Sequence, residues 1–239
     1  LPRFAFLVHP LVSWHRRFIG VRQLKLGLAS GRRDGTAAAD VARICDLELS
    51  GVARGVMMAI PMDPDQLLGD QGRVVRRLER AVFLAQQEGP LAAVGLGALC
   101  AVVAGRGEAL GARLDIPVTT GAAATAWALT QNTLTVVAHK GGCPVAVLGT
   151  AGVVGHAVAA RLVQEGLTVR VDSRRGAKGL DVEVCTSPEE TVKGCPVVVG
   201  AGPTGGTLEG GALEPFSIVV DVAIPGTVKG RTAKGVKVL

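Results

Sequence analysis

Pro144-Val-Ala-Val-Leu-Gly149-Thr-Ala-Gly152-Val-Val-Gly155-His-Ala-Val-Ala-Ala-Arg-Leu-Val-Gln-Glu-Gly166 is the stretch on which the reading of this chain turns. A short apolar run leads straight into three glycines. A helical pattern follows, with Val154, Val158 and Leu162 on one face and a stop at Gly166. The next β-branched run ends at Asp172-Ser173-Arg174-Arg175. Strand, glycine turn, helix and strand in that order predict a dinucleotide-binding unit. Gly149 permits the tight turn, and Gly152 lets backbone N–H groups approach a pyrophosphate. Gly155 allows close helix-to-strand packing, and Thr150 and Val153 sit where the helix N-terminus offers partial positive charge.

The second strand bears on cofactor choice. Asp172 suits a ribose 2′-OH and hence NAD(H), whereas Ser173, Arg174, Arg175 and nearby Lys178 suit a 2′-phosphate. Two adjacent arginines against one carboxylate place NADP(H) ahead of NAD(H). A second glycine run, Gly200-Ala-Gly202-Pro-Thr-Gly205, fits GxGxxG literally but is followed by Gly206-Thr-Leu-Glu-Gly210-Gly211, which makes no helix. It is expected to flank the nicotinamide end of the same cofactor, with Gly200 and Asp221 beside it.

Outward from this core, Val145–Leu148, Leu167–Val171, Pro196–Val199, Ser217–Val222 and Val236–Leu239 are near-continuous apolar runs, as in a parallel sheet covered on both faces. The polar break His139-Lys140-Gly141-Gly142 separates this half from the first. The expected architecture is α/β: a substrate-binding α/β domain over 1–138, then an NAD(P)-binding Rossmann domain with a mostly parallel sheet over 139–239. Substrate is expected in a cleft between them. In the first half, 4–8 and 54–61 read as strands, and 65–88 as one helix closed by Gly89-Pro90. Residues 20–50 carry no clear pattern. Arg73, Arg76, Arg77 and Arg80 lie off the apolar face of that helix and read as a solvated basic face or a docking surface for an acidic partner.

Composition narrows the classes. The chain has 239 residues, 48% of them apolar and 19% charged, which suits a sizeable core and excludes a disordered chain. There is no tyrosine, so a Ser-Tyr-Lys reductase site is excluded. The net charge of +6 suits anionic ligands, but only 3% of residues are aromatic, which counts against single-stranded nucleic acid. The expected partner is a small-molecule or acyl-thioester substrate, with no nucleic acid and no membrane span. Five scattered cysteines without a CxxC fit reduced thiols and a cytoplasmic setting. His9, His15, His139 and His156 show no metal-ligand spacing, so no metal is expected.

Several segments together resemble the cyanobacterial-type long-chain acyl-(acyl-carrier-protein) reductases. They are Phe4-Ala-Phe-Leu-Val-His9, Ala81-Val-Phe-Leu-Ala-Gln86, Ala93-Val-Gly95-Leu-Gly97-Ala-Leu-Cys100, Thr119-Thr120-Gly121-Ala-Ala-Ala-Thr125-Ala126-Trp127 and the glycine loop. Val219-Val220-Asp221-Val-Ala-Ile-Pro225 is also similar to the wider shikimate-dehydrogenase-like superfamily. The first resemblance implies NADPH-dependent reduction of a fatty acyl thioester through a cysteine thioester, with an acidic carrier protein docking on the arginine-rich helix. It implies substrate contacts at Gly95, Gly97, Ala98, Thr119, Thr120 and Gly121. Ala98 and Leu99 stand where that family has serines, and Ala122 replaces a polar residue. The family's own nucleophile belongs to a stretch beyond residue 239. Within this chain Cys100 is the candidate nucleophile and His9 the candidate proton handler. The alternatives are a hydroxy-acid dehydrogenase, which would need a cleft lysine that only Lys25 offers, and a non-catalytic NADP-binding sensor or scaffold.

Overall fold

The computed structural model describes residues 1–9, 41–62, 64–173, 175, 177–202, 205–223 and 226–239. Arg174, His15 and Lys25, named above, lie outside the described residues, as does most of the uninformative segment. The chain divides into two compact units, Leu1–Gly121 and Ala122–Leu239. The division falls before the long helix Ala122–His139 rather than at the polar break that follows it. That helix buries Ala126, Leu129 and Val137 in the second unit's core, so its apolar face fixes its allegiance.

In the first unit β1 (Arg3–Val8), β2 (Ala42–Leu49), β3 (Ala53–Ala59), β4 (Ala93–Leu96) and β5 (Val118–Thr119) form one sheet in the order β2-β3-β1-β4-β5. All neighbours are parallel except β2 and β3. Those two form a hairpin whose turn, Ser50-Gly51, has positive φ at both residues, the conformation that matches strand twist in a tight hairpin.

The single helix expected over 65–88 is two. α1 (Pro64–Gly69) stops, and Asp70 caps α2 (Gln71–Gln86) by accepting from the Arg73 N–H at 2.9 Å. Val74, Val75, Leu78, Ala81, Val82 and Ala85 of α2 are buried with Ala5, Leu7, Val56, Met58, Val94 and Leu96 of the sheet. The face expected from the spacing is the face that packs. Short helical turns at Ala98–Ala101, α3 (Val103–Arg106) and α4 (Glu108–Gly111) complete this core.

The second unit holds α5 (Ala122–His139), β6 (Val145–Leu148), α6 (Val153–Gln164), β7 (Val169–Val171), β8 (Glu183–Val184), α7 (Pro188–Val192), β9 (Val197–Gly200), β10 (Leu208–Glu209), β11 (Ile218–Asp221), β12 (Val228–Lys229) and β13 (Lys237–Val238). Six strands pair in parallel in the order β13-β11-β9-β6-β7-β8. Counted from β6, this is the doubly wound dinucleotide-fold order, and its reversal point lies between β6 and β9. β6 and β9 are buried at every position, because helices cover both faces. Among the described residues no helix is long and apolar enough to cross a membrane.

Candidate functional site: a glycine corner at the reversal point

The chain leaves β6 at Leu148 and turns at Gly149, whose φ is +86°. A side chain at Gly149 is excluded twice: by that backbone and by Gly202, whose backbone N would lie 2.4 Å from a Cβ. Gly202 follows β9, so both glycine loops meet where the strand order reverses. In open α/β sheets ligands bind in the crevice outside the strand carboxyl ends at that point.

Gly155 explains the helix. A Cβ there would lie 2.5 Å from the Gly149 carbonyl oxygen, so α6 rests against the turn with no room for a methyl group. Gly152 differs from its expected role. It is the N-cap of α6, and its own N–H closes the turn onto the Gly149 carbonyl at 3.0 Å. The first-turn N–H groups of Val153 and Val154 have no carbonyl partner within the helix, and no side chain caps this end. Val153 is 48% exposed. This end of α6 carries the positive pole of the helix with no acidic side chain in its first turn.

Asp172 follows β7 and holds the turn from the side. One carboxylate oxygen accepts from the Gly149 N–H at 2.8 Å. The other accepts from the Thr150 hydroxyl at 2.9 Å and the Thr150 N–H at 3.3 Å. A carboxylate has room for about four donors, and among the described residues Asp172 accepts from these three. Beyond it, Ser173 is half-buried, and Arg175 and Lys178 are exposed.

Asp221, at the end of β11, is engaged in the same manner but within its own loop. It accepts from Ala223 N–H at 2.9 Å, Thr227 N–H at 2.6 Å and the Thr227 hydroxyl at 2.9 Å. Gly200 is a glycine because of that cluster: a Cβ would meet Asp221 Oδ1 and Thr227 Oγ1 at 2.4 Å each. Both residues, expected beside the cofactor, pack against each other at the ends of β9 and β11.

In the first unit two of the expected substrate contacts, Gly95 and Gly97, are packed from within. The Phe6 ring lies over Gly95 and Gly97, 2.9 and 2.7 Å from where a Cβ would be, and Val8 adds a contact at Gly97. The room these glycines leave on that face is filled by a phenyl ring of β1. Phe4 covers Gly55 in the same way, at 2.6 Å. Ala98 lies in the turn after β4. Thr119 is exposed, and its hydroxyl accepts from the Gly121 N–H at 3.2 Å. Thr120 and Gly121 are half-buried, and Gly121 has φ +71°.

The candidate catalytic pair also needs correction. Cys100 is fully buried in the first unit's core, and burial pushes its thiol up to about 12. A thiol in that range is protonated at neutral pH and is no nucleophile. His9 is 5% exposed, and its Nε2 accepts from the Leu99 N–H at 3.1 Å. An accepting Nε2 is unprotonated, so this imidazole secures the turn after β4. Cys195, also buried, is raised to about 11 by burial, and all five cysteines are free thiols. Among the described residues no group of three or more His, Cys, Asp or Glu side chains could hold a metal ion. Two hollows of about 250 and 360 Å³ flank α5 in the second unit, and the described residues lining them exclude the glycine corner.

No protein-family model matches the sequence. Among curated proteins, the chain is 25% identical over 260 residues to the aminotransferase PigE of Serratia sp.; the match covers 96% of this chain and 30% of that protein. The chain thus spans less than a third of the length of that relative. Among solved structures it is similar to the N5,N10-methylenetetrahydrofolate dehydrogenase-cyclohydrolase of Trypanosoma brucei in complex with NADP and an inhibitor. The identity is 15%, covering 100% of this chain and 79% of that one, with a TM-score of 0.41. It is similar also to a 5,10-methylenetetrahydrofolate dehydrogenase of the silkworm Bombyx mori, at 12% identity, 99% and 79% coverage and a TM-score of 0.37. For the NADPH-dependent glyoxylate/hydroxypyruvate reductase of Sinorhizobium meliloti the values are 14%, 95% and 72%, and 0.35.

Proposed function

We propose that the chain is an NADPH-dependent oxidoreductase module acting on an acyl thioester or a related carbonyl. The observation that carries this reading is the glycine corner. Gly149 and Gly155 sit where a methyl group would strike backbone, at the reversal point of a parallel sheet, beside the uncapped first turn of α6. The residues present fit a pyridine dinucleotide. Val153 and Val154 would hold the pyrophosphate, and the last position on Asp172 would take a ribose hydroxyl. Ser173, Arg174 and Arg175 would take a 2′-phosphate. When bound, NADPH supplies a hydride equivalent to an electrophilic carbon. The chain's part is to orient the nucleotide and fix the turn through Asp172.

Thioester reduction is favoured by the resemblance in the helix, the Thr-Thr-Gly segment and the glycine loop. The protonated state of Cys100 and Cys195 favours a second reading, in which the chain binds NADP(H) and performs no thiol chemistry of its own. Assays of NADPH oxidation with a long-chain acyl-coenzyme A or an aldehyde, and of NADP⁺ reduction with a small hydroxy acid, separate them. Thioester-dependent oxidation supports the first reading. Nucleotide binding without turnover on any of the three supports the second.

A further inference from the structure

We infer that the outer face of α2 is a docking surface for an acidic helix of a partner protein. This inference is independent of the cofactor reading. Arg73, Arg76, Arg80 and Phe83 follow one another at three- and four-residue steps, so they form a single ridge. The ridge lies opposite the buried face made by Val74, Leu78, Ala81 and Ala85. The three arginines are exposed, and Phe83 is 51% exposed with the Arg80 guanidinium 5.3 Å from its ring centre.

The acids that might have neutralised the ridge are engaged elsewhere. Glu79 pairs with Arg113 at 3.2 Å, and Glu88 pairs with Arg3 and Arg43 at 3.2 and 2.9 Å. Asp70 caps the helix through the Arg73 N–H. Among the described residues Arg73, Arg76 and Arg80 form no ion pair. Local helix energetics do not explain them either. Cations near the start of a helix oppose its dipole, and α2 has no acid in its first turn. Four arginines and no lysine make up its cations, the choice suited to bidentate carboxylate recognition.

The shape selects the partner. A ridge one helix wide and about 15 Å long, ending in an exposed phenyl, matches another amphipathic helix with carboxylates at three- and four-residue steps and an apolar residue for Phe83. The paired acids Glu79 and Glu88 border the ridge and confine the uncompensated positive charge to a strip one helix wide.

The test uses the full chain and a fluorescent synthetic helical peptide with glutamates along one face and leucines beside them, measured by anisotropy. We expect saturable binding that weakens about tenfold or more in the Arg73→Glu/Arg76→Glu/Arg80→Glu variant, several-fold in Phe83→Ser, and steeply with added salt. A photo-crosslinker on the same peptide should label residues 73–83 of the unmodified chain, a readout that does not depend on any variant folding. Equal binding by the charge-reversed chain, crosslinks elsewhere, no peptide binding, or tighter binding of a DNA duplex or phosphatidylserine vesicles would each overturn the inference.

Discussion

The Asp172 carboxylate accepts a hydrogen bond from the Gly149 N–H at 2.8 Å, tying the strand that follows the glycine helix back to the first residue of the glycine turn. A single carboxylate thereby links two neighbouring parallel strands, β6 and β7, at their carboxyl ends.

Removing that link should be felt in both stability and binding. Asp172→Ala leaves the Gly149 N–H and the buried Thr150 hydroxyl without their acceptor. The expected cost is about 1–3 kcal/mol, read from urea denaturation, with NADPH affinity weakened as well. Thr150→Val should lose a smaller share, since the contact of Asp172 with the Gly149 N–H survives.

Two glycine substitutions separate shape from backbone freedom. Gly155→Ala places a methyl group 2.5 Å from the Gly149 carbonyl oxygen and must push α6 off the turn. It should cost about 1–3 kcal/mol and eliminate nucleotide binding. Gly166→Ala meets nothing within 4 Å but sits at φ +79°. It should cost about 1 kcal/mol and leave titrations with NADPH unchanged.

The buried thiols make a prediction in pH. Cys100 is raised from 9.0 to about 12 by burial, so the folded state keeps a proton that the unfolded state releases above about pH 9. Its contribution is complete below pH 9 and is lost as pH rises toward 12, so stability falls across that window. Cys100→Ala should flatten this alkaline decline. Iodoacetamide at pH 8 should label Cys45 or Cys143, which are half-buried, well before Cys100. Rapid modification of native Cys100 would restore it as a candidate nucleophile.

His9 offers a parallel check in the first unit. His9→Ala removes the acceptor for the Leu99 N–H and should destabilise by about 1–3 kcal/mol, with NADPH affinity unchanged in a binding titration. A specific loss of affinity in a fully folded His9→Ala protein would show that His9 does more than hold this turn.

Much of this was legible in the residues. The strand at 145–148, the glycine turn and the α6 stripe of Val158 and Leu162 are local patterns, and local patterns survive folding. The buried face of α2 was legible for the same reason. Its break at Asp70 was not, because a good capping residue inside an apolar period is masked by that period. The β2–β3 hairpin escaped notice because β2 is an edge strand with mixed polarity, although Ser50-Gly51 was a usable turn signal. The roles of Gly95, Gly97 and Gly200 required partners distant in sequence. A glycine announces that something comes close, but whether that is a ligand, the Phe6 ring or the Asp221 carboxylate depends on tertiary packing. The spacing makes Asp172 suit a ribose hydroxyl but does not reveal its partners in the fold, which lie 22 and 23 residues earlier in the chain.

The most direct measurement is calorimetric titration of the protein and its Val153→Glu variant with NADPH and NADH. Val153 is 48% exposed at the first position of α6, where an acid favours the helix, so the variant should melt no lower than the parent. The account predicts one NADPH per chain, weaker binding of NADH, and loss of both in the variant through repulsion of the pyrophosphate. Absence of binding by the parent, or undiminished binding by a folded Val153→Glu protein, would contradict it.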